Sequence, residues 1–282
     1  MNLIMKKILV PTDFSENALQ ALKVAAQLAK QHHAKLYLLH MLGISQAIIG
    51  KDESNEGAEA IYYMKMVKKR FDDLKRLDYM QGIETEELIQ NYKIFSEVNN
   101  VAHEHGIDLI VMGSHGTGMV NDFFVGSNTE KVVRNSDFPV LVIKKDRPDF
   151  KMDKVVFACD FDKENIHAYR RAMRLFKDFE SEVHLLYVNL PNQNFLNSAE
   201  MRERVKEFIT EADNGDLSQL SKVTYYSDYT IENGIYNFSN SVGADLIAIP
   251  THGRKGISHF FMGSIGEDLA NHAELPVITF KI

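Results

Sequence analysis

The chain has 282 residues, enough for one large domain or two of ordinary size. It is 45% hydrophobic and 25% charged, which excludes a disordered chain, and its net charge of −7 argues against non-specific nucleic-acid binding. Cys159 is the single cysteine, so no intrachain disulfide can form and the cytosol is the expected location.

No apolar run exceeds about eight residues, too few to span a bilayer, so no membrane partner is expected. The opening "MNLIMKKILVPTD" meets Pro11 and Asp13 at once and reads as a strand rather than a leader. The segment 15–31 follows with Ser15 as N-cap and Ala18, Leu22, Ala25, Ala26 and Ala29 on one face, which predicts a helix. "KLYLLHML" is the second strand. A long amphipathic helix is expected over roughly 57–81, then "IETEELIQ", then a helix to His105. "DLIVMGS" is a strand, a glycine-rich loop follows it, "NTEKVVRNS" is a helix, and "PVLVIKK" is the last strand. Apolar strands alternating with helices imply a parallel sheet covered on both faces.

The pattern then repeats. "GIDLIVMGSHG" (106–116) returns as "GADLIAIPTHG" (243–253) at an offset of 137 residues, whereas "KILVPTDF" (7–14) returns as "KVVFACDF" (154–161) at 147. The second copy has therefore lost about ten residues, and the polar stretch "GKDESNEGAE" (50–59) of the first copy is the expected place. A charged linker, 145–153, separates the copies, giving expected domains at 1–146 and 152–282. The closing strands 140–145 and 277–282 are apolar edges that should not stay unpaired.

The loop "GSHGTGMVNDFFVGSN" (113–128) is where chemistry is expected. In open α/β sheets, ligands bind beyond the carboxyl ends of the strands, where the strand order reverses. Gly126 and Ser127 open a helix, whose N-terminus carries roughly +0.5 of a charge and free N–H groups suited to phosphate. Net negative charge elsewhere does not forbid this, because charges beyond about 8 Å are largely screened. No GxxxxGK[ST] occurs, and Gly116-x-Gly118 lacks the third glycine of the dinucleotide fingerprint. Turn-making alone would explain any one of these glycines. It does not explain the pattern G-2x-G-9x-G-[ST] formed by Gly113, Gly116, Gly126 and Ser127.

With "PTDFS" (11–15) and "LLHML" (38–42), this loop resembles the universal stress protein family, in both copies, as a tandem member. The resemblance implies two Rossmann-like α/β domains, each with a five-stranded parallel sheet ordered 3-2-1-4-5. It implies ATP or AMP as ligand, with Mg2+. Carried across, Pro11, Thr12 and Asp13 lie at the adenosine end, and Met41 takes the place of the residue whose backbone meets adenine. Gly113, Gly116, Gly126, Ser127 and the backbone of Asn128 hold ribose and phosphates. Family members pair through the last strand, which implies that the two copies pair internally; a homodimer beyond that is left open.

Asp13 could accept ribose hydroxyls or cap the first helix, and the two roles can coexist. His115 could donate to a phosphate or face solvent. In the second copy Asp160 keeps the acid and Val188 matches Met41, while Gly253, Gly263 and Ser264 survive. Pro250 replaces Gly113, removing an N–H and fixing φ. That site is either degenerate or helped by Arg254 and Lys255.

No residue set has zinc spacing, and no catalytic triad stands out, so neither a metal site built by the protein nor a catalytic residue is assigned. His32 and His33 are expected to end a helix as a solvated cap with favourable dipole sign. Cys159 is expected to be a small buried residue. The 62–81 segment is read as a core stripe with a charged exterior or, alternatively, a partner-binding face. The expected function is an ATP-binding, ligand-controlled regulatory module in stress response. The alternatives are a slow ATPase or phosphotransfer enzyme, and a scaffold that binds no nucleotide.

Overall fold

The computed structural model describes residues 5–42, 56–90, 97–114, 127–191, 195–251 and 275–282. The first half runs β1 (Lys7–Pro11), α1 (Glu16–His32), β2 (Lys35–Met41), α2 (Glu56–Lys75), β3 (Thr85–Gln90), α3 (Glu97–His105), β4 (Leu109–Gly113), α4 (Ser127–Asn135) and β5 (Val140–Ile143). The second half repeats the alternation as β6 (Lys154–Ala158), α5 (Ile166–Asp178), β7 (Glu182–Asn189), α6 (Ser198–Ala212), β8 (Val223–Ser227), α7 (Ile231–Val242), β9 (Leu246–Thr251) and β10 (Val277–Lys281).

The strands form one ten-stranded sheet in the order β3-β2-β1-β4-β5-β10-β9-β6-β7-β8. Within each half all ladders are parallel and the order is 3-2-1-4-5. At the middle, β10 meets β5 antiparallel, with Val277 opposite Val142, Ile278 opposite Leu141 and Thr279 opposite Val140. The edge that each half would otherwise leave open is thus paired with its counterpart.

Strand residues alternate between two layers of core. Ile8 and Val10 belong to the layer that includes buried residues of α1, α2, α5 and α6, and Leu9 to the layer that includes those of α3, α4 and α7. Helix ends follow local chemistry. Ser15 Oγ accepts the Ala18 N–H at 3.3 Å to start α1, and His33 closes it at φ 51°. Asn197 and Glu200 form a reciprocal capping box on α6.

Three expectations need correction. The helix expected over roughly 57–81 ends at Lys75, followed by a 3-10 turn over Asp78–Met80. Among its described side chains Val67, Phe71 and Leu74 are buried, while Tyr62, Tyr63, Met64 and Met66 are exposed. The ten lost residues are shared between loop and helix: residues 42–55 connect β2 to α2 but only 190–197 connect β7 to α6, and α6 has 15 residues against 20 in α2. His32 is not a solvated cap. Its ring lies 4.4 Å from that of Phe179 in the second half, its Nε2 is buried without a hydrogen-bond partner, and burial lowers its pKa.

The junction carries one ionic hub. Asp137 accepts from Lys281 Nζ (2.8 Å), Asn99 Nδ2 (3.0 Å) and His103 Nε2 (2.8 Å). Those donors, Lys281 foremost, hold its carboxyl well below the usual range.

Candidate functional site

The site is built where β2, β1 and β4 end side by side. In the order 3-2-1-4-5 the chain reverses direction across the sheet between β1 and β4, which is the switch point where such sheets bind ligands.

Beyond Pro11 the chain makes a tight, fully accounted turn. The Thr12 N–H donates to Leu39 O at 2.8 Å, the Phe14 N–H to Thr12 Oγ1 at 3.0 Å, and the Ser15 N–H to Asp13 Oδ1 at 3.0 Å. Phe14 takes a positive φ of 63°, and its ring packs 4.7 Å from His40 and 5.3 Å from Phe71. The Thr12 carbonyl accepts from His40 Nδ1 at 2.8 Å, so that nitrogen carries a proton. This anchoring leaves Asp13 half-buried at the strand end, with one carboxylate oxygen engaged in starting α1. Met41 ends β2, and the Leu42 N–H donates to Gln90 O at 2.9 Å.

Gly113 ends β4, and its lack of a side chain has a packing cause. A Cβ there would lie 2.6 Å from the Asn17 carbonyl oxygen and 2.7 Å from its carbon, so only glycine lets the first turn of α1 cross the strand end. Ser114 is buried, and its N–H donates to Ile143 O at 2.9 Å. The buried Thr129 Oγ1 donates to Gly113 O at 2.8 Å, pinning the start of α4 over the end of β4. Thr129 and His40 were not singled out from the sequence. A lone threonine in a helix carries no signal until its strand-end acceptor is known. Of the expected site residues, Pro11, Thr12, Asp13, Met41, Gly113 and Asn128 are brought to this end, and α4 begins at Ser127. His115, Gly116 and Gly126 lie outside the described residues.

The second half repeats the turn with other chemistry. The Phe161 N–H donates to Cys159 Sγ at 3.2 Å, the Asp162 N–H to Asp160 Oδ1 at 3.0 Å, and Phe161 again has a positive φ, 53°. Phe161, Tyr187 and Phe208 stand where Phe14, His40 and Phe71 stand. Cys159 thus replaces the Thr12 hydroxyl as acceptor, and burial pushes its thiol pKa up, away from reactivity.

Three features differ. Asp160 Oδ1 also accepts from Asn165 Nδ2 at 2.6 Å, a residue that is Ala18 in the first half. Pro250 stands for Gly113, and Lys163–Asn165, in the place of the first turn of α1, is wound as a 3-10 helix instead of α. Val188 packs under α7, where a Cβ on Gly234 would lie 2.6 Å from its Cγ1. Gly253, Gly263 and Ser264 lie outside the described residues.

No group of three His, Cys, Asp or Glu side chains among the described residues could hold a metal ion. No described helix is long and apolar enough to cross a membrane.

A model of the universal stress protein family matches residues 5–144 and again 151–281. The chain belongs to the universal stress protein family. The double match makes it a tandem, two-domain member. Universal stress protein MJ0577 of Methanocaldococcus jannaschii is 30% identical over 159 residues, covering 51% of this chain and 98% of that protein. The crystal structure of a universal stress protein from Archaeoglobus fulgidus superposes over 99% of this chain and 98% of its own, with 22% identity and a TM-score of 0.68. That likeness shows the same two-domain fold. One universal stress protein was solved in complex with cAMP, at 21% identity over 50% of this chain and 97% of its own, with a TM-score of 0.34.

Proposed function

We propose that this universal stress protein is a cytosolic, nucleotide-controlled binding module that holds one adenine nucleotide, ATP in the first instance, in its N-terminal half. The observation that carries the reading is the junction of Asp13, Met41, Gly113 and the start of α4 at one switch point, with Thr129 fixing the helix start to the strand end. A helix N-terminus held there offers amide donors and a partial positive charge to phosphate. Asp13 offers a carboxylate to ribose hydroxyls, and the backbone at Met41 an edge to adenine. Gly116, Gly126 and Ser127 complete the cradle in this reading. Each hydrogen bond to a charged group contributes about 1.5–3 kcal/mol, so three or four reach the roughly 8 kcal/mol of micromolar binding without a dedicated lysine.

The described residues make no metal site of their own, so a magnesium ion would ride on phosphate oxygens, with Asp13 as the nearest carboxylate of the turn. In the second half the strand end carries Pro250 and Val188 lies under α7. We therefore assign the ligand to the first half alone, and read the β5–β10 junction as an internal pseudo-dimer of domains 1–146 and 152–282.

Mass spectrometry of ligand released from the purified protein tests this, with melting in ATP plus magnesium, AMP and a cyclic nucleotide as parallel arms. A single-site ligand at a hundred times its Kd stabilises by about 2.7 kcal/mol. An adenine nucleotide in the eluate, or a raised melting temperature that Asp13→Ala abolishes, supports the reading, and the arms identify the phosphate pattern. No released nucleotide and no shift in any arm would leave a scaffold that works through its surfaces.

A further inference from the structure

The β5–β10 junction uses up two of the four strand edges that the two halves would present, so the sheet ends at β3 and β8. These two ends are finished differently. Beside β3, Lys35 pairs with Glu84 and Glu86 at 2.9 and 3.0 Å, and Lys75 pairs with Glu87. Charges on an edge strand oppose further pairing. β8, "VTYYS", carries no charge and consists of residues with high strand preference. Around it lie four exposed apolar side chains: Leu217 before the strand, Tyr225 on it, and Tyr229 and Ile231 after it, Tyr229 being 85% exposed.

We propose that β8 is a homodimer edge, pairing antiparallel with β8 of a second copy of this chain across a two-fold axis at Tyr225. The argument for a second copy is complementarity under that operation. Val223 falls opposite Ser227 of the other copy, Thr224 opposite Tyr226 and Tyr225 opposite Tyr225, and just beyond the strand Lys222 falls opposite Asp228, so the charges that meet are of opposite sign. The same operation on β3 would set Glu86 opposite Ile89 and Glu87 opposite Leu88, taking carboxylates away from Lys35 and Lys75. The fold already joins homologous edges in this sense, since β5 and β10 pair antiparallel. The pairing would extend the sheet from ten strands to twenty, with the exposed tyrosines covered. It is independent of nucleotide binding.

Sedimentation equilibrium on the full chain tests it. The wild type is expected to show a concentration-dependent mass rising towards twice 32.2 kDa. Tyr225→Lys places like charges face to face and Ser227→Lys puts a lysine on the exposed edge; both should stay at the monomer mass with unchanged circular dichroism. Directly opposed strand residues have Cα atoms about 4.5–5.5 Å apart, within disulfide range. Tyr225→Cys should therefore give a covalent dimer on oxidation, and the buried Cys159 does not compete. A wild type that is monomeric at every concentration overturns the proposal. So does a dimer that survives both lysine variants, whatever other surface it uses.

Discussion

Thr129 Oγ1 donates to the Gly113 carbonyl at 2.8 Å, a buried bond between the first turn of α4 and the last residue of β4. It sets where the amide groups of that helix point relative to the strand ends. The second half has Gly266 in the corresponding position and can form no such bond. Thr129→Val keeps the shape but leaves a buried carbonyl unpaired, which should cost about 1–3 kcal/mol. Thermal unfolding should show a lower midpoint. The extra stabilisation by ATP should shrink as well, because the helix start is no longer held.

Gly113→Ala should destabilise through backbone, not through ligand. The new methyl would meet the Asn17 carbonyl at 2.6 Å, and a helix backbone cannot swing aside as a side chain can. Overpacking of this kind costs about 1–3 kcal/mol. Urea unfolding of the ligand-free variant checks it. An unchanged midpoint would mean that the glycine is there for the ligand alone.

His32 should make stability fall on the acid side. Its folded pKa is lowered by burial, which outweighs the opposite effect of Asp178. The unfolded chain therefore binds more protons than the folded one just below pH 6.5, and stability drops as pH falls from about 6.5 through the folded pKa. His32→Phe retains a ring against Phe179 and removes the titration. Melting temperatures between pH 7.5 and 5 should fall less steeply in the variant than in the wild type.

Cys159 should tolerate serine better than alanine. Its sulfur accepts the Phe161 N–H, as Thr12 Oγ1 accepts that of Phe14. Cys159→Ser keeps an acceptor, whereas Cys159→Ala leaves a buried N–H unpaired at a cost of about 1–3 kcal/mol. The two midpoints measured side by side decide it. Thiol reagents should not label the folded wild type, because burial keeps the group protonated.

The alternation of apolar strands and helices was legible because the inner strands are buried on both faces, so pattern and burial coincide, as in Ile8, Leu9 and Val10. The repeat was legible because matching segments, such as 106–116 and 243–253, recur at a fixed offset. What escaped the sequence depends on contacts far along the chain. The packing constraint on Gly113 escaped because its neighbour Asn17 comes from another element. His32 looked solvated because Phe179 belongs to the other half. Met64 and Tyr63 continue a helical stripe, yet period alone cannot tell where the underlying core stops.

The central claim is one nucleotide site per chain, in the N-terminal half. Isothermal titration of the nucleotide-stripped protein with ATP and magnesium addresses it directly. The expected result is a stoichiometry of one per chain, with binding lost in Asp13→Ala and kept in Asp160→Ala. Two sites per chain, or no heat of binding at millimolar ATP, would contradict it.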